Sequence, residues 1–259
     1  MMKKQLKKTV LIAYPGESSD KNYCPGVFVD IDNYKEYLTS PLGGGWIYDP
    51  YDDKKSEIKI FSEDITRKML LTYLENLKYY DYVIIAFCGH GGYSSRCQQT
   101  VLEIGPCERI CESELIDIGS RENLILDCCR IVLADIITES IEHFGLKIAS
   151  ALCSCLDLNK CRRLYDYSIS QCDSGTNILY GCNIKETSGE SKDGGGYFSS
   201  SLIRTAKRWQ QKYILKNNQI LSILDAFQLA IPLVTAKKVN QNPQIFSCYS
   251  PFPWGVISY

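Results

Sequence analysis

The sequence predicts an α/β fold built on a mostly parallel central sheet of about six strands. Short apolar runs stop abruptly at chemistry-bearing residues: Leu124-Ile125-Leu126 before Asp127-Cys128-Cys129-Arg130, and Tyr82-Val83-Ile84-Ile85-Ala86-Phe87 before Cys88-Gly89-His90-Gly91-Gly92. Runs of this kind read as strands buried on both faces, the habit of parallel sheets. Segments of helical period separate such runs. A chain of 259 residues, 45% hydrophobic, is long enough to close one sizeable core. The whole length, 1–259, is read as one domain.

Taken in order, Thr9 to Tyr14 is the first strand. Its basic front, Lys3 to Lys8, has an apolar run too short for a secretory signal. From Val27 to Leu38 the apolar residues Ile31, Tyr34 and Leu38 recur at helical spacing. Gly43-Gly44-Gly45 fits neither phosphate-binding pattern and is read as a connection to a strand at Ile58 to Phe61. Asp64 is expected to cap a helix over 65–78, with Met69, Leu70, Tyr73, Leu74 and Leu77 on one face. Strands at Tyr82 and Leu124 bracket a hairpin strand near Gln99 to Ile104 and a helical turn at Glu112 to Ile116. A helix from Ile131 to His143, closed by Gly145, places His143 at a helix end. Residues 151–176 are the least regular and are expected to be a flexible, linker-like segment. Ile178 to Cys182 is a strand, Ser199 to Tyr213 a helix, and Ser222 to Val239 a helix interrupted at Pro232; the last strand follows Asn242-Pro243-Gln244.

Composition narrows the function. A net charge of −1 with both signs spread along the chain gives no reason to expect nucleic acid. No stretch approaches the length needed to span a bilayer, so a soluble, cytoplasmic protein without membrane attachment is expected. The 13 cysteines are read as free thiols or small buried hydrophobes. Cys153, Cys155, Cys161 and Cys172 lie near one another but lack the paired spacing of a structural zinc site. No metal or cofactor is expected.

The chemistry gathers at two strand ends. If those strands are parallel neighbours, His90 and Cys129 emerge at the same edge, where open α/β sheets bind ligands. A thiol nucleophile needs a proton shuttle, and the chain holds only two histidines. Strand alternation turns Cys128 to the opposite face from Cys129.

These residues carry a resemblance. Phe87-Cys88-Gly89-His90-Gly91 is similar to the F-S-G-H-G of caspases and metacaspases. Asp127-Cys128-Cys129 resembles the D-x-C around the metacaspase nucleophile, and Cys128-Cys129-Arg130 resembles the A-C-R of caspases. Gly26 to Ile31, Asn183 to Ser188, Gly194 to Ser199 and Asn242 to Phe246 look like further segments of the same clan. Arg130 stands where metacaspases have histidine, and the resemblance is closest to bacterial caspase-like peptidases.

The resemblance implies a three-layer α/β/α sandwich and a cysteine endopeptidase. Cys129 would be the nucleophile, His90 its partner in a dyad, and the backbone N–H groups of Gly91 and Cys129 the oxyanion donors. Asp127 and Asp30 would line a pocket for substrate arginine or lysine. Arg130 keeps open an aspartate-specific alternative, and a catalytically silent binding module is the other. An esterase lacks its G-x-S-x-G elbow. Glu112, Glu114 and Asp135 match the calcium-binding acids of metacaspases only loosely, so calcium is not predicted. By family analogy the enzyme would belong to a bacterial defence or cell-death system, cut protein or peptide substrates, and be held in check by a regulatory protein or a small-ligand activator. Self-cleavage is expected, if anywhere, after Lys160, Arg162 or Arg163 in the irregular segment.

Overall fold

The computed structural model describes residues 6–19, 21–62, 65–133, 156–238, 240–248 and 250–259. Strand β1 (Lys7–Tyr14) leads into helix α1 (Gly26–Thr39), then β2 (Ile58–Phe61) and α2 (Arg67–Glu75). Strand β3 (Tyr82–Gly89) turns into a small meander of β4 (Gly91–Ser94), β5 (Gln99–Gly105) and β6 (Glu108–Cys111). Strand β7 (Arg121–Asp127) is followed, beyond the residues not described, by α3 (Leu158–Ser170) and β8 (Gly175–Tyr180). A two-residue hairpin, β9 (Glu190–Ser191) and β10 (Gly195–Gly196), opens α4 (Tyr197–Tyr213). The chain ends with β11 (Gln219–Ser222), α5 (Ile223–Thr235), β12 (Gln244–Ser247) and β13 (Pro253–Ile257).

The central sheet has six strands in the order β12-β8-β7-β3-β1-β2; only β12 runs antiparallel. Strand alternation divides the core into two layers. In β1, Leu11 and Ala13 face α1, α3, α4 and α5, whereas Val10 and Ile12 face α2 and the meander. Both faces are covered, so the middles of the strands are apolar, as expected of a parallel sheet, while β1 and β7 begin with buried polar residues, Lys7, Lys8, Glu122 and Asn123. Among the described residues no helix is long and apolar enough to cross a membrane.

Several sequence expectations change. The N-cap of α2 is Thr66, whose hydroxyl accepts from the Met69 N–H at 3.2 Å, while Asp64 lies outside the described residues. Met69 itself is exposed. Helix α5 runs through Pro232 to Thr235 instead of breaking there. Ile131 to Leu133 does not begin a helix: Val132 bridges to Tyr93. The rest of that expected helix, His143 included, falls outside the described residues, as do Asp135, Cys153 and Cys155.

The largest correction concerns 156–176, the described part of the segment expected to be linker-like. Asp157 accepts the Lys160 N–H at 2.9 Å and starts α3, whose Cys161, Tyr165 and Ile169 are buried in the core. Apolar residues at i, i+4 and i+8 had been masked by the surrounding charges and thiols. Lys160 and Arg163 therefore lie exposed on a helix, and Arg162 is held by Glu57 and the Gly45 carbonyl. The Cys161 and Cys172 thiols face the Ser258 and Ser168 carbonyls at 3.4 and 3.3 Å.

Candidate active site

Register and parity place His90 and Cys129 just beyond the carboxyl ends of neighbouring strands. The β3–β7 ladder pairs each residue with the one 39 positions on, ending at Cys88 with Asp127. His90 and Cys129 continue that offset by two residues, so they leave neighbouring strands at the same level. They also share the parity of Cys88 and Asp127, whose side chains both meet Ser199 at the start of α4. Cys128 has the other parity: it is buried in the core under the meander, and burial pushes its thiol well up. A Cβ on Gly91 would come within 2.9 Å of its sulfur. Cys129 is half-buried, with its thiol 3.8 Å from the Ser188 carbonyl.

His90 is oriented by the backbone. Its Nε2 lies 3.1 Å from the Pro15 carbonyl, which also accepts the Cys24 N–H at 2.8 Å. A carbonyl only accepts, so this contact places the ring proton on Nε2 and leaves Nδ1 as the acceptor. The approach depends on Gly16, whose φ is +84° and whose added Cβ would lie 2.9 Å from Nε2.

Behind the thiol, two carboxylates meet at Gly196 and a third lies close by. Asp30, in α1, is 1% exposed, and both its oxygens accept the Gly196 N–H, at 3.0 and 2.8 Å. Asp127, 6% exposed, accepts from the Ser188 hydroxyl at 2.5 Å and the Ser199 N–H at 2.8 Å. Both acids thus sit on the amino end of α4, whose partial positive charge suits them. Gly195 and Gly196 leave them room: a Cβ on either would come within 2.2 or 2.3 Å of a carboxylate oxygen. Glu190 pairs with Gly196 across the hairpin and takes the Gly26 N–H at the start of α1. Its Oε1 is buried with no hydrogen-bond partner among the described residues.

Among the described residues none of the three acids is ion-paired. Burial raises all three: Asp30 well above the usual range, with the Asp127 charge adding; Asp127 less, because Ser188 and Ser199 oppose; and Glu190 to about 7. Burial thus makes the charged forms costly, and the Lys237 charge only partly opposes this at Asp30 and Asp127.

Arg130 points elsewhere. It is 6% exposed, its guanidinium lies 3.8 Å from the Tyr180 ring centre, and it donates to Thr100 at 3.2 Å. Its backbone exchanges hydrogen bonds with the 185–186 turn. Arg130 therefore anchors the segment that carries Cys129, held against Thr100 and the Tyr180 ring. Gln241, fully buried, binds Ser188, Gly189 and Gly181 and fixes the wall behind the thiol.

Sequence reading missed Pro15, Gln241 and Glu190. Pro15 acts through a backbone oxygen, which carries no side-chain signal. Gln241 and Glu190 reach the site through loops and a hairpin of only two residues per strand.

A family model described as Caspase domain, of the C14 peptidases, matches residues 8–251, nearly the whole chain. No curated protein matches it. The chain belongs to the caspase-domain family of cysteine peptidases, and as such it is a hydrolase of protein substrates.

Proposed function

We propose that this peptidase uses a Cys129–His90 dyad to cleave proteins after arginine or lysine. The observation that carries the dyad is the shared offset and parity of the two residues at the carboxyl edge of adjacent parallel strands. His90 Nδ1 would take the thiol proton and later return it to the leaving amine, while the Pro15 carbonyl steadies the imidazolium. The N–H groups of Gly91 and Cys129 are the proposed oxyanion donors.

Specificity follows from the acids. Buried carboxylates without a basic partner are costly, and a guanidinium or ammonium entering among Asp30, Asp127 and Glu190 would discharge that cost with charge-assisted hydrogen bonds. By family analogy the enzyme serves a cytoplasmic defence or cell-death system and is restrained by a protein partner or small ligand.

A peptide-library profile with a thiol-directed activity probe tests the reading. Wild type should cut after Arg or Lys and take the label. Cys129→Ala and His90→Ala should each lose about three orders of magnitude in kcat/KM with an unchanged Tm, and Cys128→Ala should keep much of the activity. Loss with Cys128→Ala but not Cys129→Ala would move the nucleophile, and cuts confined to aspartate would refute the pocket.

A further inference from the structure

The near-zero net charge hides a concentrated basic face. Between Asp193 and Asp225 the chain has no acid, yet it carries Arg204, Lys207, Arg208, Lys212 and Lys216. Helix α4 sorts them. Phe198, Leu202, Ile203 and Ala206 are buried, and at 100° per residue Arg204, Lys207, Arg208 and Lys212 fall on the opposite side. Lys207, Arg208 and Lys212 are exposed and Arg204 is half-buried. Lys237, at the end of α5, extends the row by donating to Ser200 at 2.9 Å.

The face is hardly compensated. Among the described residues its one ion pair is at the margin, Lys207 to Glu36 at 3.9 Å. Arg204 and Arg208, one turn apart, repel, and their mutual charge adds to burial in lowering Arg204. Like charges at this spacing destabilise a helix by a few tenths of a kcal/mol (about 0.2–0.5). Lys212 and Lys216 both stand over the Tyr213 ring, 5.3 and 5.2 Å from its centre, and Leu215 beside them is almost wholly exposed.

We propose that this face of α4 docks an extended acidic protein segment. Arg204, Arg208 and Lys212 rise about 6 Å per step along the helix. Side chains on one side of an extended chain recur every 6.6 Å or so, so alternate Asp or Glu residues match the row. A lipid surface fits less well, because the apolar stripe of α4 that would enter it is spent on the core. Nucleic acid fits less well because the chain as a whole is not basic. The row starts at the end of α4 that holds Asp30 and Asp127, so an acidic segment here would lie alongside the candidate active site.

Fluorescence anisotropy of a labelled peptide of alternating glutamate and glycine, which offers no basic residue to cleave, tests this on the full chain. Wild type should bind it, more weakly as salt rises. Arg204→Gln/Arg208→Gln/Lys212→Gln should weaken binding about tenfold or more. Lys54→Gln/Lys55→Gln/Lys68→Gln, which removes as much charge from exposed sites elsewhere, should not. If the first triple variant has a lowered Tm, Arg208→Gln alone should still weaken binding measurably. Equal losses in the two triple variants would overturn the proposal. So would tighter, α4-dependent binding of oligothymidine or of vesicles of phosphatidylcholine and phosphatidylserine in equal parts, which would reassign the surface.

Discussion

The two ends of the central sheet bury charge in opposite ways. At the amino end Lys7, 3% exposed, meets Asp166 at 2.6 Å and stands over the Trp46 and Tyr165 rings. Arg162 grips Glu57 through both its terminal nitrogens, at 2.8 and 2.5 Å, and Lys8 donates to the Ser56 and Asp53 carbonyls. At the carboxyl end Asp30, Asp127 and Glu190 crowd together with no ion pair among the described residues; Lys237 is the cation whose charge reaches Asp30 and Asp127, without a salt bridge to either. Paired buried charges complete a fold, and removing one partner is what harms it. Buried like charges are left incomplete, and such perturbed groups mark sites that await a ligand.

A crossed pair of substitutions is the strongest way to break that contrast. Asp127→Asn keeps the shape of the side chain, and the Ser188 hydroxyl can turn to accept from the new amide. It should cut kcat/KM on basic substrates about a hundredfold while leaving Tm unchanged or slightly raised. Asp166→Ala should do the reverse, costing about 2 kcal/mol of stability by stranding Lys7, with kcat/KM nearly intact. Kinetics on an arginyl peptide and thermal melts of both variants check the pair. The contrast fails if both variants lose stability and neither loses activity.

The site residues were legible to very different degrees. His90 and Cys129 announce themselves because an apolar run ends at each, and one offset of 39 residues links them to the strand register. Asp30 and Asp127 were readable only through resemblance, since nothing local says that α1 and β7 both abut the start of α4. Glu190 and Gln241 were invisible because their roles depend on contacts between distant loops. In the fold, buried strands were clear, whereas α3 was hidden: its apolar residues are few, and its anchors, Glu57 and Gly45, are far away in sequence. The basic face of α4 was hidden by averaging, because the opposite charges lie on other elements.

Titration sharpens the comparison with a smaller effect. Glu122, at the amino end, is an unpaired exception: it is buried, it accepts the N–H groups of the 117–119 turn, and burial raises it to about 8. Below pH 4.5 both folded and unfolded chains hold its proton, and from there up to about 8 only the folded chain does. Proton release is thus coupled to unfolding, so stability should fall as pH rises through that window. Glu122→Gln should flatten the fall, by a few degrees in Tm. Glu190 has the same sign up to about 7, but its titration should be tied to ligand. A guanidine such as agmatine should bind more tightly as pH rises through 7, in wild type and in Glu122→Gln alike. Agmatine binding that ignores pH would detach Glu190 and its neighbours from the cation.

The smallest expected effect is none at all, at Lys160, Arg162 and Arg163. Their basic side chains suit the proposed pocket, yet a peptidase of this kind needs its substrate backbone extended, and these three bonds lie in the first half of α3. Opening that turn would give up the Asp157 cap and expose Cys161. It would also release Arg162 from Glu57, at the end of the sheet where charges are paired. Local opening of so anchored a segment is costly, and cleavage follows the population of the open form. Intact mass of purified wild type beside Cys129→Ala should therefore show the same unbroken chain between Leu158 and Ser170, even in preparations that digest an arginyl peptide. A break after any of the three residues in wild type alone would show that α3 opens readily, and that charge pairing at the amino end does not protect it.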